Sequence, residues 1–292
     1  MTTTFLNRGE PGTVWVTGAG GLIGNAIVKS APADAPGARV LALTRRELDL
    51  TDTAAVRRKF QQELPRLIIH CAALSKSTDC QANPDLARLL NVEVTARLAE
   101  LAANIPFIFF STDLVFDGRA GNYEEAARVN PLSTYAETKV AAEKIVFSNP
   151  RHTVIRTSIN GGVSPTGNRG FNEQLRAAWQ AGQTLRLYRD EFRSPIAAGV
   201  TARVVWELAS RNQIGLYHVA GSERLSRWQI GQLLGRRWPQ LDPKIEPASL
   251  KEYAGAPRSP DTSLKCDKVQ RLLSFRIPGL TEWLEANASE EF

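Results

Sequence analysis

The feature that most constrains this chain is a glycine-rich turn near the N-terminus. An apolar run, 14–16, enters the turn, and apolar residues at helical spacing leave it from Leu22 onward. Strand, turn and helix in this order are the context of a phosphate-binding fingerprint. In such a fingerprint Gly18 allows the tight turn, Gly21 lets the backbone approach a pyrophosphate, and Gly24 lets the helix pack on the strand. The motif alone leaves open a turn that only packs a strand on a helix.

The rest of the first half alternates strands and helices. Apolar strands are predicted at 39–43, 67–70, 105–110 and 152–157, and helices at 52–62, 84–103 and 133–147. Near-continuous apolar strands separated by helices indicate a parallel sheet covered on both faces. We therefore expect an α/β fold with a Rossmann-type doubly wound parallel sheet.

The pattern changes at residue 160, where glycines and prolines form a loop and the later segments become shorter and more mixed. We expect an NAD(P)-binding Rossmann domain over 1–159. Residues 160–292 are predicted to form a smaller C-terminal substrate-binding lobe that is interwoven with the first domain.

Composition excludes several classes of protein. The chain has 292 residues, 43% hydrophobic and 23% charged, with a net charge of +6 that suits anionic ligands. No long Lys/Arg block with interleaved aromatics indicates nucleic acid, and no apolar run reaches membrane-spanning length. The three cysteines are scattered at Cys71, Cys80 and Cys266. They form neither a disulfide framework nor a metal-ligand spacing, so we expect a cytoplasmic protein without a metal.

The end of the second predicted strand bears on the choice of dinucleotide. An acid at this place would bind a ribose 2′-hydroxyl, as in NAD-binding proteins. This chain has Thr44-Arg45-Arg46 instead, and an arginine can pair with a 2′-phosphate. NADP is therefore predicted as the preferred cofactor and NAD as a possible one. The alternative is that both arginines face solvent.

Tyr135 and Lys139 lie four apart in a predicted helix, so both side chains can reach one bound molecule. A free tyrosine has a pKa of about 10, and a nearby ammonium lowers it, which makes tyrosine a usable acid or base beside a carbonyl or alcohol. The hydroxyls of Ser111 and Thr112 follow a predicted strand at the sheet edge where such folds bind ligands. The alternative is an exposed Tyr/Lys pair.

These motifs together resemble the extended short-chain dehydrogenase/reductases, and more narrowly the dTDP-4-dehydrorhamnose reductase family. The resemblance covers nearly the whole chain. It rests on TGAGGLIG (17–24), LDLTD (48–52), NPDLARLLNVEVTARLAELA (83–102), STDLVFDG (111–118), PLSTYAETKVAAE (131–143), DEFRSPI (190–196), GLYHVAG (215–221) and DTSL (261–264).

The resemblance implies a role for each matching position. The catalytic residues would be Thr112, Tyr135 and Lys139, and Asn91 would match a structural or water-holding asparagine. Besides Tyr135 and Lys139, the cofactor would be bordered by Gly18, Gly20, Gly21, Leu22, Ile23, Gly24, Arg45, Asp49, Leu50, Cys71, Ala72 and Ala73. The substrate would be approached by Asp113, Leu114, Ile159, Ser194, Pro195 and Arg258.

The sequence departs from the family where a sugar or base would pack. An aromatic residue is common at the position of Leu114, and a tryptophan is common at the position of Ile159. Ala136 replaces the glycine that usually follows the tyrosine. The acidic cluster that bridges a dimer through a metal in some members has no clear match, which agrees with the expectation of no metal.

The resemblance implies NADPH-dependent reduction of a 4-keto-6-deoxy sugar nucleotide, with a homodimer as a possible assembly. One alternative is a reductase, epimerase or dehydratase of another sugar nucleotide. Another is a non-catalytic regulatory subunit that resembles the one of methionine adenosyltransferase.

Overall fold

A six-stranded sheet forms the centre of the fold. The computed structural model describes residues 12–255, 257–290 and 292. Its strands are β1 (Thr13–Thr17), β2 (Arg39–Leu43), β3 (Leu67–His70), β4 (Phe107–Thr112), β5 (Thr153–Thr157) and β10 (Gly215–Val219). Neighbouring strands run parallel, in the order β2-β1-β3-β4-β5-β10.

Helices lie on both faces of this sheet. The α-helices in the described residues are α1 (Leu22–Asp34), α2 (Thr53–Glu63), α3 (Ser77–Ala82), α4 (Pro84–Arg88), α5 (Val94–Leu101), α6 (Thr134–Phe147), α7 (Phe171–Gln180), α8 (Ala198–Ser210), α9 (Arg227–Arg237), α10 (Asp267–Gln270) and α11 (Leu280–Ala286). Val14 and Val16 pack into one hydrophobic cluster with α1 and α8, whereas Trp15 packs into another with α2, α5 and α6. Alternate side chains of a strand point to opposite faces. The predicted doubly wound α/β fold is confirmed.

The strand order reverses between β1 and β3. From β1 the chain crosses to β2 on one side, and β3 then pairs with β1 on the other side. Open α/β sheets bind ligands in the crevice at the carboxyl ends of such strands. The glycine-rich turn follows β1 and Cys71-Ala72-Ala73 follows β3, so both border this crevice.

Residues from 160 onward contribute both to the main sheet with its covering helices and to a set of short strand pairs. β10 and α8 belong to the main sheet and its covering layer. The remaining short strands are β6 (Asn160–Gly161), β7 (Thr184–Tyr188), β8 (Phe192–Arg193), β9 (Ile196–Ala197), β11 (Leu225–Ser226) and β12 (Lys244–Ala248). They pair as β6 with β9, β7 with β12 and β8 with β11. Four of the tryptophans, Trp179, Trp228, Trp238 and Trp283, pack in a separate hydrophobic cluster with α7, α9 and α11.

Three local differences from the sequence predictions matter for the site. The helix predicted at 84–103 is interrupted by a π-helical turn, Leu89–Glu93, that includes Asn91. Strand β4 begins and ends two residues later than predicted, so Ser111 and Thr112 are its last residues. Helix α3 was not predicted, because six residues are too few to show a helical period.

Candidate active site

The glycine-rich turn has the local geometry that the sequence required. Gly18 has a φ of +69°, and a Cβ there would lie 2.6 Å from the backbone nitrogen of Ala72. A Cβ on Gly24 would lie 2.4 Å from the carbonyl oxygen of Gly18. Side chains at these positions would therefore push the turn away from β3 or the helix away from the turn. The result is a compact backbone cradle at the start of α1, which fits the pyrophosphate of a dinucleotide.

The end of β2 presents charges of both signs. Arg45 has 84% of its side chain exposed and approaches the Asp49 carboxylate at 3.7 Å. Sequence reasoning missed Glu47, whose carboxylate accepts hydrogen bonds from both the backbone N–H and the hydroxyl of Thr44. The Thr44 side chain is the nearest neighbour of a Cβ built on Gly20, at 3.7 Å. Glu47, a carboxylate of the kind that binds the 2′-hydroxyl of NAD, and Arg45, a guanidinium of the kind that binds the 2′-phosphate of NADP, therefore both follow β2, where the adenosine ribose is predicted to bind.

Thr112 and Tyr135 meet at the carboxyl end of β4. Helix α6 begins after Ser133, whose hydroxyl accepts the backbone N–H of Ala136, so Tyr135 lies in the first turn. The Tyr135 phenol lies close enough to the Thr112 side chain for Thr112 to lower its pKa. The two hydroxyls can thus approach one carbonyl oxygen together. Thr112 and Tyr135 are thus near one another at this edge of the sheet, and their catalytic role stays a prediction.

The environment of Tyr135 corrects one expectation. We expected Lys139 to lower the tyrosine pKa. Instead burial, followed by the negative charge of Asp113, raises the pKa of Tyr135, and the hydrogen bond from Thr112 only partly offsets this. The phenol therefore stays protonated at neutral pH, which is the state of a proton donor.

Lys139 is buried one helical turn after Tyr135. Its Nζ lies 4.0 Å from the centroid of the Phe109 ring, in contact with the sheet rather than with solvent. Burial lowers the pKa of Lys139 to about 7, and the nearby Glu143 carboxylate acts in the opposite direction. The charge of this ammonium is consequently sensitive to its surroundings within the physiological pH range.

Asn91 has a structural role in this chain. Its side-chain oxygen accepts the backbone N–H of Leu74 at 2.8 Å, and its Nδ2 donates to the Leu74 carbonyl and to the Thr138 hydroxyl. Thr138 in turn donates to the Tyr135 carbonyl at 2.7 Å. Asn91 therefore ties the segment after β3 to the first turn of α6 and helps to orient Tyr135.

Asp113 is a buried carboxylate surrounded by hydroxyl groups. It accepts hydrogen bonds from Thr112 at 3.2 Å, Ser158 at 2.7 Å and Thr262 at 2.9 Å. The Arg193 guanidinium also lies 3.7 Å from its Oδ2 atom. With only 4% of its surface exposed, Asp113 fixes the end of β4 rather than reaching freely toward a ligand.

Three guanidinium groups, those of Arg193, Arg227 and Arg258, converge on the fully buried Glu191; we call them the arginine cluster. Arg193 and Arg227 approach Glu191 Oε1 at 2.9 and 3.2 Å. Arg258 donates to both carboxylate oxygens, at 3.0 and 3.1 Å. With Asp113 also beside Arg193, three guanidinium groups face two carboxylates, and the remaining excess of positive charge suits an anion.

Chain segments from three regions build the arginine cluster. Arg193 ends β8, and β11 pairs with β8, which places Arg227 at the start of α9. The segment with Arg258 is held by backbone hydrogen bonds of Phe192 with Pro260 and Thr262. Sequence reasoning assigned a role only to Arg258. The DEFRSPI motif contains Glu191 and Arg193, but nothing in the sequence showed that they meet Arg227.

The other predicted residues border the same region to different extents. Leu22 is buried, and Ile23 is partly buried against the core. Ser194 is buried, and its hydroxyl accepts the backbone N–H of Leu264. Pro195 is also buried. The remaining predicted residues that are partly buried or exposed are Leu50, Cys71, Ala72, Ala73, Leu114 and Ile159.

Two further observations concern the described residues as a whole. Across 12–255, 257–290 and 292, no His, Cys, Asp and Glu side chains form a group of three or more that could hold a metal ion. In the same residues no helix has the length and apolar character needed to cross a membrane.

Comparison with known proteins decides the family. The model of the RmlD substrate binding domain family matches residues 12–290. The chain belongs to this family. The dTDP-4-dehydrorhamnose reductase of Sinorhizobium fredii is 30% identical over 91% of this chain and 93% of that protein. The methionine adenosyltransferase 2 subunit beta of Xenopus laevis is 27% identical over 88% of this chain and 81% of that protein.

The fold is also similar to that of solved family structures. A dTDP-4-dehydrorhamnose reductase from Bacillus anthracis, solved in complex with NADP, superposes with a TM-score of 0.86. The alignment covers 94% of this chain and 98% of that chain at 22% identity. The predicted resemblance to the dTDP-4-dehydrorhamnose reductase family is confirmed by the family match and by the Sinorhizobium fredii relative.

Proposed function

We propose that this protein reduces the ketone of a 4-keto-6-deoxy sugar nucleotide with NADPH, as dTDP-4-dehydrorhamnose reductase does. One continuous set of contacts supports the proposal. Tyr135 and Thr112 lie at one end, and Asp113 and Arg193 connect them to the arginine cluster around Glu191. A sugar nucleotide needs this arrangement, because its ketone and its diphosphate are attached to opposite sides of one sugar ring.

The proton donor acts at the ketone oxygen. Tyr135 donates its proton as negative charge develops on that oxygen, and Thr112 holds the same oxygen by a hydrogen bond. Burial keeps Tyr135 protonated before the reaction.

The residues present fit a dinucleotide. Gly18, Gly21 and Gly24 would hold its pyrophosphate at the start of α1, and Lys139 would bind the nicotinamide ribose. A bound nicotinamide would supply hydride to the ketone carbon. Arg45 supports NADP, and the NADP held by the Bacillus anthracis reductase agrees with that preference. NAD is proposed as a second cofactor, because the Glu47 carboxylate at the end of β2 is of the kind that accepts the ribose 2′-hydroxyl of NAD.

The arginine cluster would bind the diphosphate. Arg258 keeps 34% of its side chain exposed and Arg227 19%, whereas Arg193 is buried. Arg258 and Arg227 can therefore contact a ligand, while Arg193 positions Glu191 and Asp113. Arg258 also lies 5.2 Å from the ring centroids of Tyr188 and Tyr253, which hold its guanidinium in place.

The test is NADPH oxidation with dTDP-4-dehydro-6-deoxy-L-lyxo-hexose as substrate. We expect turnover by the native protein and a loss of about 10²- to 10⁴-fold in kcat for Tyr135→Phe, the usual contribution of a positioned acid. NADPH binding by the variant should remain. No turnover by a protein that binds NADPH would contradict this reaction, and cofactor-neutral conversion of another sugar nucleotide would favour an epimerase or dehydratase.

A second candidate function is regulatory, because the methionine adenosyltransferase 2 beta subunit is similar over most of this chain. Stable copurification with a synthetase, without turnover of any keto sugar, would favour it. The proximity of Thr112 and Tyr135 at the sheet edge, with Lys139 buried one helical turn further on, favours catalysis.

Assembly and location complete the proposal. A homodimer is proposed from the family resemblance, and sedimentation would measure it. A cytoplasmic location is supported by the three cysteines, all of which are free in the structure.

A further inference from the structure

Lys139 and Glu143 lie one helical turn apart on the buried face of α6. They lie four residues apart, and only 2% and 3% of their surfaces are exposed. Residues at this spacing are neighbours on a helix, with about 5–6 Å between their Cβ atoms. Both face the main sheet, since Lys139 lies over Phe109 of β4 and Glu143 contacts Arg156 of β5.

Arg156 fixes the Glu143 carboxylate in place. Its Nε and Nη2 atoms donate to the two carboxylate oxygens at 2.9 and 2.7 Å. Arg156 is itself buried, with its guanidinium 5.2 Å from the Phe116 ring centroid. The planar guanidinium matches the carboxylate in a bidentate geometry. The carboxylate therefore cannot turn to solvent without breaking both bonds.

The other titratable groups near Lys139 are neutral at pH 7. Burial raises the pKa of the Cys71 and Cys80 thiols and of the Tyr135 phenol, so all three keep their protons. Burial lowers the pKa of His70 to about 3, so its ring is uncharged. The Asp113 carboxylate lies beside Tyr135 and Arg193 and acts on the Tyr135 phenol.

We propose that Glu143 is a positioning residue for the reaction, and that it acts as the counter-ion that keeps Lys139 charged inside the protein. Arg156 donates to both oxygens of the Glu143 carboxylate and so fixes its orientation. The inference rests on the proposed reductase function for its consequence, but the charge state of Lys139 is a property of the protein alone.

Burial and the Glu143 carboxylate act on Lys139 in opposite directions. Removing a buried ammonium from water disfavours its charged form, and a carboxylate one helical turn away offsets part of that cost. Burial already lowers the pKa of Lys139 to about 7 with Glu143 present. Without the carboxylate the ammonium would lose its proton below neutral pH. A neutral amine would hold the nicotinamide ribose, which Lys139 is proposed to bind, less tightly than an ammonium does, because hydrogen bonds from a charged donor are stronger.

The decisive measurement is the pH titration of Lys139 by NMR. Lysine labelled with ¹³C at Cε reports the charge of each amine, and the signal absent from Lys139→Met is that of Lys139. The main variant is Glu143→Gln/Arg156→Met, because replacing both members of a buried ion pair is better tolerated than breaking it. We expect its Lys139 midpoint about one pH unit below that of the native protein.

Three comparisons separate this role from a structural one. Glu143→Asp keeps the charge and should titrate close to the native protein. Glu173→Gln removes a buried carboxylate that is bonded to Ser164, Arg169 and Gly170, so it should leave Lys139 unchanged. If the double variant does not fold, Glu143→Gln/Arg156→Gln, which also removes both charges but keeps hydrogen-bonding groups, replaces it, and the same downward shift is expected.

An unchanged Lys139 midpoint in the folded double variant would overturn the inference. With a shift of about one unit, the protonated fraction at pH 7.5 falls about eightfold. Keto-sugar turnover at that pH should fall by a similar factor and recover at lower pH. A shifted midpoint without any native turnover would refute the proposed reaction and leave the counter-ion role standing.

Discussion

Glu191 gives the most informative single substitution, because its carboxylate contacts all three guanidinium groups of the arginine cluster. Glu191→Gln keeps the shape and replaces one carboxylate oxygen by an NH₂ group. That NH₂ would face a guanidinium donor, so at least one charged hydrogen bond, worth about 1.5–3 kcal/mol, is lost. The variant also leaves buried positive charge uncompensated.

Breaking one partner of a buried ion pair costs about 3–5 kcal/mol. At roughly 2–4 °C per kcal/mol, we expect the Tm of Glu191→Gln to fall by about 6–20 °C. The proposed diphosphate site adds a second expectation. Saturating dTDP should raise the Tm of the variant more than that of the native protein, since the diphosphate then supplies the missing negative charge.

Thermal unfolding followed by circular dichroism, with and without dTDP, measures both effects. Glu173→Gln is the matched control, because its carboxylate is also largely buried but bonds the 164–170 loop. It should lower the Tm without changing the increase caused by dTDP. An equal dTDP effect in native protein and Glu191→Gln would refute the assignment of the arginine cluster to the diphosphate.

The remaining predictions concern the cofactor turn, the cofactor choice and pH. Gly24→Ala should destabilise the protein by about 1–3 kcal/mol and weaken NADPH binding, because its Cβ would lie 2.4 Å from the Gly18 carbonyl oxygen. Gly20→Ala is its control in chemical denaturation and fluorescence titration, since its Cβ would lie 3.7 Å from the nearest atom. Arg45→Ala should lower the NADPH/NADH affinity ratio and Glu47→Gln should raise it; an unchanged ratio in both variants would contradict the role of the β2 end. The kcat/KM of the native protein should fall as pH rises through about 7, because the Lys139 ammonium loses its proton there; a profile flat to pH 9 would argue against a charged Lys139 in catalysis.

Local sequence patterns were sufficient for the fold class and for the centre of the site. The glycine spacing required a strand, a tight turn and a helix, and Gly18 and Gly24 have the close contacts that exclude a side chain. Four-residue spacing placed Tyr135 and Lys139 on one helix, and Thr112 ends the neighbouring strand. These features depend on contacts over a few residues, or on the regular order of strands in a parallel sheet.

Only the tertiary structure determined the charges around these residues. Arg193, Arg227 and Arg258 are far apart in sequence and meet at Glu191 because β8, β11 and the loop with Arg258 are paired side by side. The pKa of Tyr135 was predicted in the wrong direction, because burial and Asp113 outweigh the hydrogen bond from Thr112. Spacing along a helix shows which side chains are neighbours. Desolvation and long-range pairing, which set their charge, depend on what the rest of the chain packs around them.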